Sequence, residues 1–100
     1  MSPHIQIDRS KIEAFCRKWK IAELALFGSV LRDDFRGDSD VDVLVTFGPG
    51  GGIGLETRVQ MLDELREMFG RDVDLIVKDA LRNPFRRLSI LRSREVVYAA

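Results

Sequence analysis

Asp40 and Asp42 flank a single valine at the head of a β-branched run, Val41 to Phe47. In a strand, residues i and i+2 point to the same face, so both carboxylates share one side. Two strand rises of about 3.3 Å set their β-carbons roughly 6–7 Å apart. Carboxylates reaching from there can hold a pair of divalent ions about 3.5–4 Å apart, the arrangement used in two-metal phosphoryl chemistry. Mg²⁺ suits such a set, taking a few carboxylates together with water and substrate phosphates. Two like charges side by side next to a buried face are unfavourable unless a cation offsets them. Asp72-Val73-Asp74-Leu75-Ile76-Val77 repeats the theme of acids ahead of an apolar strand. If that strand lies beside the first, Asp74 joins Asp40 and Asp42. Asp72 has the same alternation but sits nearer the turn after Gly70, where solvation is its expected fate.

Gly28-Ser29 is the third element of this constellation. It follows the apolar stretch Ile21 to Phe27, and ten residues separate it from Asp40. Glycine lets backbone approach a phosphate closely, and backbone N–H groups at the start of a helical turn favour anions. The Ser29 hydroxyl adds a donor. Each piece alone is commonplace, since acids at strand ends are usually just solvated and Gly-Ser is an ordinary turn. Their conjunction, a carboxylate set for divalent cations together with a glycine turn able to approach a phosphate, is much more specific than any one piece.

Those residues need elements to position them. Ser10-Lys11-Ile12-Glu13 has capping-box spacing, so a helix is expected to begin near residues 9–11. Ile12, Phe15, Cys16 and Trp19 form one apolar stripe along it, a core reading for Cys16 and Trp19. Ile21 to Phe27 reads as a buried strand, with a short helical turn through Val30, Leu31 and Arg32. Residues 33–40 are polar and turn-forming. Val41 to Phe47 is the strongest strand in the chain. Gly48 to Gly54 is a flexible connection and not a P-loop, because no Gly-Lys-Ser/Thr follows. Leu55 to Phe69 is an amphipathic helix carrying Leu55, Val59, Leu62, Leu65 and Phe69, and Gly70 is its C-cap. Val73 to Val77 is a third strand. Asn83-Pro84 opens a last helix with Phe85, Leu88 and Leu91 facing inward, and Val96 to Tyr98 closes as an extended piece. The expected fold is a small α/β (α+β) domain, a mixed three- to four-stranded sheet covered by helices.

Composition excludes several other classes. The 100 residues fit one compact domain, residues 1–100, with 45% apolar and 32% charged residues. Sixteen basic and sixteen acidic groups cancel, which is unlike a general nucleic-acid coat protein. The cancellation hides a gradient: residues 28–47 and 48–77 each carry a net −3, while residues 78–100 carry +4. A cation site in the middle of the chain is compatible with that pattern. The lone Cys16 fits a reducing cytoplasm. The N-terminus shows no export signal, and the longest apolar run is far too short to span a bilayer.

Three stretches closely resemble the minimal nucleotidyltransferase family, within the superfamily typified by DNA polymerase beta. They are Leu26-Phe27-Gly28-Ser29, Asp38 to Val45, and Gly70 to Ile76, with a tail from Ile90-Leu91-Arg92 to Tyr98 that is also similar. The resemblance implies a polymerase beta-like palm. It implies that Gly28 and Ser29 hold the β- and γ-phosphates of ATP, that Asp40 and Asp42 bind two Mg²⁺ ions, and that Asp74 shares the catalytic metal and helps activate the acceptor hydroxyl. Arg32 matches a position where relatives often carry a phosphate-contacting arginine. Asp33 follows it where relatives often have glycine, an extra negative charge near the triphosphate. Members of the family are commonly antitoxins whose partner is a HEPN-domain ribonuclease toxin. Some transfer AMP to a tyrosine hydroxyl of that toxin. The resemblance therefore implies an AMP transferase in a hetero-oligomer with a HEPN-domain toxin, while the composition leads to the expectation of a cytoplasmic protein with no membrane and no direct nucleic-acid binding. Larger relatives add a domain that presents the acceptor, so a partner is expected to supply part of the substrate site, with Arg82, Arg86, Arg87, Arg92 and Arg94 as candidate contacts. An antitoxin acting by binding alone and a small-molecule nucleotidyltransferase are the competing readings.

Overall fold

A computed structural model describes residues 8–28 and 40–100. Helix α1 (Arg9–Trp19) leads into strand β1 (Ile21–Phe27), and β2 (Val41–Phe47) connects through α2 (Leu55–Phe69) to β3 (Val73–Val77). A 3₁₀ turn (Lys78–Ala80), α3 (Pro84–Ser93) and β4 (Glu95–Ala99) complete the order. The α/β expectation holds. The expected turn through Val30, Leu31 and Arg32, and the expected loop up to residue 39, lie outside the described residues.

Local chemistry explains most helix ends. The Asp8 carboxylate, not Ser10, caps α1, accepting from the Ser10 and Lys11 backbone N–H groups at 3.1 and 3.2 Å. The capping box read at Ser10 is therefore displaced by two residues, because the Asp8 carboxylate takes the first free backbone donors of the helix, those of Ser10 and Lys11. Gly70 ends α2 at φ 70° and donates to the Arg66 carbonyl, a conformation in which a β-carbon is costly. Asn83 caps α3 by accepting from Phe85 and Arg86, with Pro84 at the first helical position, as its sequence predicts.

The four strands lie in the order β3-β2-β1-β4. β1 runs antiparallel to β2 and β4, and β2 runs parallel to β3 through the α2 crossover. Alternation splits the strands between two layers. Leu24, Leu26, Val41, Val43, Val45, Val73 and Leu75 face one side, where α1 contributes Ile12, Phe15 and Cys16, and α2 contributes Met61 and Leu65. Ala25, Phe27 and Leu44 face the other side, under Leu81 and Ile90.

Two amphipathic readings change. On α2, Leu65 is buried but Leu55 and Val59 are exposed, and Met61 is the other anchor. On α3, Phe85 and Leu88 face solvent while Ile90 is buried and Leu91 packs partly against the second cluster. The helix rotates to whichever apolar positions meet the sheet, and Ile90 with Leu91 are those that do.

Cys16 is fully buried, and burial pushes its thiol from an ordinary value of 9.0 up to about 12. A buried neutral thiol is a poor nucleophile. The native protein is expected to resist iodoacetamide at pH 8 and to label stoichiometrically once urea unfolds it, as read by intact mass. The sign for stability follows from linkage. Between pH 9 and 12 the unfolded chain loses this proton and the native chain keeps it. Stability therefore falls with rising pH in that window, by at most about 1.4 kcal/mol per pH unit.

Candidate active site

β2 is anchored by Val41, Val43 and Val45, all fully buried against α1 and α2. That anchoring fixes the parity of the strand, so Asp42 must point to the opposite side, the layer of α3. Asp40, just ahead of the strand and exposed, has the same parity. The Val41 N–H between them donates to the Asp72 carbonyl at 2.9 Å, which sets the register of β2 against β3.

The register then decides which acids meet. Asp42 is the direct partner of Asp74 across the parallel pair, and of Phe27 across the antiparallel pair. Neighbouring strands lie about 4.8 Å apart, so the Asp42 and Asp74 carboxylates project side by side from one face. They sit one row beyond the apolar row Ala25, Leu44 and Ile76. Asp42 is half-buried and Asp74 exposed. The adjacency required of strand 73–77 is met. Asp72 is exposed, with Arg66 Nε 3.7 Å from its carboxylate, as expected of a residue in the turn.

Gly28 closes the site from the β1 side. It adopts φ +76°, and a β-carbon there would lie 2.2 Å from Asp42 Oδ2 and 3.1 Å from its carboxyl carbon. Only glycine brings backbone this close to the Asp42 carboxylate without displacing it. Ser29 and Arg32, the other expected phosphate contacts, and Asp33 lie outside the described residues.

The donor set is all carboxylate oxygen, the chemistry of a hard divalent cation. Among the described residues no three acidic, imidazole or thiol side chains converge as a closed metal cage. Mg²⁺ does not need one, because it commonly takes one or two protein carboxylates and completes its shell with water and phosphate. The packing of Gly28 against Asp42 leaves backbone rather than side chain on that flank, and the residues present fit the ion.

One positioning contact had no sequence signal. Arg58 of α2 donates from Nη2 to the Leu75 carbonyl at 2.6 Å. It ties the helix to β3 one residue beyond Asp74. A guanidinium-to-backbone bond depends on a tertiary approach that no local pattern announces.

A mixed sheet that presents paired carboxylates at a strand head, beside a glycine turn closing the preceding strand, defines a nucleotidyl-transfer palm. The family model described as nucleotidyltransferase domain matches residues 9–97, and the chain belongs to that family of enzymes. A protein of Methanocaldococcus jannaschii, provisionally named a protein adenylyltransferase, is 33% identical over 73 residues, 73% of each chain. The protein adenylyltransferase MntA of Thermococcus cleftensis is 32% identical over 81% of this chain and 77% of its own. A solved structure provisionally described as a minimal nucleotidyltransferase superposes with TM-score 0.70 at 30% identity, covering 87% of this chain and 86% of that one. The fold is shared with a more distant solved structure as well. A structure of a tri-AMPylated Shewanella oneidensis HEPN toxin in complex with its MNT antitoxin matches with TM-score 0.64 at 18% identity, covering 92% of this chain and 70% of that one. Among the described residues no helix is long and apolar enough to cross a membrane.

Proposed function

We propose that residues 1–100 form one minimal catalytic domain, a cytoplasmic Mg²⁺-dependent protein adenylyltransferase. It moves AMP from ATP to a tyrosine hydroxyl of a HEPN-domain ribonuclease toxin and so acts as that toxin's antitoxin. The observation that carries this reading is the pairing of Asp42 with Asp74, with Gly28 pressed against the Asp42 carboxylate. The names of the relatives support the protein acceptor.

Asp40 and Asp42 would hold two Mg²⁺ ions, with Asp74 sharing one, and the ions when bound would offset charge on the triphosphate and the pyrophosphate leaving group. Gly28 and Ser29 would seat the β- and γ-phosphates through backbone N–H groups and the hydroxyl, and Arg32 would add a cation there. Asp74, exposed at the rim, would accept the acceptor hydroxyl proton as general base. The acceptor oxygen then bonds to the α-phosphorus, the bond from that phosphorus to the bridging oxygen breaks, and pyrophosphate departs with the electron pair.

The test incubates the chain with α-labelled ATP, Mg²⁺ and a HEPN-domain protein encoded by the neighbouring reading frame. Label is expected on a tyrosine of the partner, and EDTA should bring it to background. A stable complex that acquires no label would overturn the reading in favour of neutralisation by binding alone.

A further inference from the structure

We propose that the outward face of α3 docks the acceptor protein, and that the element it receives is an acidic amphipathic helix. The proposal rests on the reading of this chain as a transferase acting on a protein. The two layers of the sheet are unequal. Two helices, α1 and α2, cover one face, while α3 alone among the described helices covers the other. Asp42 and Asp74 belong to the α3 side by their parity. A macromolecule that presents a hydroxyl to those carboxylates must approach on that side.

α3 is built to be approached. It turns Ile90 toward the sheet and leaves Phe85 84% and Leu88 48% exposed. With Arg92 these residues stand at i, i+3 and i+7, one stripe directed away from the core. An aromatic ring that could bury roughly 150–250 Å² is left in water in the first turn of the helix. The basic C-terminal stretch divides in two. Arg87 donates to the Lys78 and Leu81 carbonyls, and Arg94 pairs with Glu23 at 3.3 Å. Arg82, Arg86 and Arg92 are exposed, and among the described residues no carboxylate pairs with them.

An apolar stripe rimmed by unpaired arginines is the composition of a protein interface, where aromatic and arginine anchors carry the energy. The charge selects the occupant. A second copy would bring its own arginines against these, which like-charge repulsion opposes. An acidic helix offers carboxylates to the rim and its own apolar stripe to Phe85 and Leu88, meeting α3 ridge into groove.

The experiment titrates the ¹⁵N-labelled full chain with a synthetic helical peptide bearing leucines at i, i+3, i+4 and i+7 and glutamates elsewhere. A lysine-for-glutamate peptide and a single-stranded RNA are the comparators. Shifts confined to α3 with the acidic peptide are expected, together with a loss of affinity of about tenfold or more in Arg86→Glu with Arg92→Glu. The dispersed spectrum of that variant checks its fold. No response of α3 to the acidic peptide, an equal response to the basic one, tighter binding of RNA, or self-association through α3 would each overturn the proposal. The same spectra separate it from the transferase reading. Mg·ATP should perturb residues around Gly28 and Asp42. If it does not while the acidic peptide still binds α3, the docking surface stands and the catalytic reading falls.

Discussion

Asp42→Asn is expected to lower nucleotidyl transfer by ~10³-fold, about 4 kcal/mol of transition-state stabilisation, without unfolding the protein. The substitution keeps the shape of the side chain and removes only its charge. Asp42 is central in a way Asp40 is not, since it is flanked by Phe27 on one strand and by Asp74 on the other. Val41 and Val43, fully buried on the other face, hold the strand. The strand keeps these buried anchors in the variant, so a cooperative thermal melt should remain. Asp72→Asn is the matched control. It lies two residues from Asp74 and is exposed like it, but its ion partner is Arg66. Exposed pairs of that kind contribute little, and transfer should stay within about twofold. Label transfer to the partner, read beside a thermal melt, tests both. Asp42→Asn retaining transfer within tenfold would remove the carboxylate from the mechanism.

The contrast between Asp72 and Asp74 shows how much of the site the sequence carried. Valine alternation through Val41, Val43 and Val45 dictates which side Asp40 and Asp42 face, because a strand has a period of two and a buried face cannot slip. That inference was available from residue order alone. The pairing of Asp42 with Asp74 was available only as a condition, since strand adjacency is a tertiary fact. The exposure of Phe85 and Leu88 escapes the sequence for a related reason, while Leu91 faces inward as expected. α3 carries apolar residues around more than one face, and local periodicity cannot say which stripe the sheet will take. Ile90 and Leu91 meet the sheet, so Phe85 and Leu88 are left outside. Asp8 and Ser10 are both competent N-caps. The choice between them depends on where the preceding chain arrives. Arg58 reaching the Leu75 carbonyl and Arg9 reaching the Val97 carbonyl follow from helix placement and leave no local signature.

Gly28→Ala is expected to cost both stability and activity, and the two losses have separable causes. The first is conformational. At φ +76° an L-residue other than glycine is strained by ~1–3 kcal/mol, several degrees of melting temperature in a chain of this size. The second is steric. The new β-carbon would stand 2.2 Å from Asp42 Oδ2, far inside contact distance, so the carboxylate must rotate away. Transfer should then fall by ~10²-fold or more, because small displacements of a positioned group are expensive in rate. A double-mutant cycle divides the terms. In an Asp42→Ala background the carboxylate is gone, and the nearest remaining Asp42 atom, its β-carbon, lies at 3.5 Å from the added carbon, an ordinary contact. Gly28→Ala should there cost the conformational strain alone. A smaller loss of melting temperature in that background than in the parent is the expected outcome. Equal losses in both would mean that the carboxylate moves aside freely, and the close approach of Gly28 would no longer explain how Asp42 is held for the reaction.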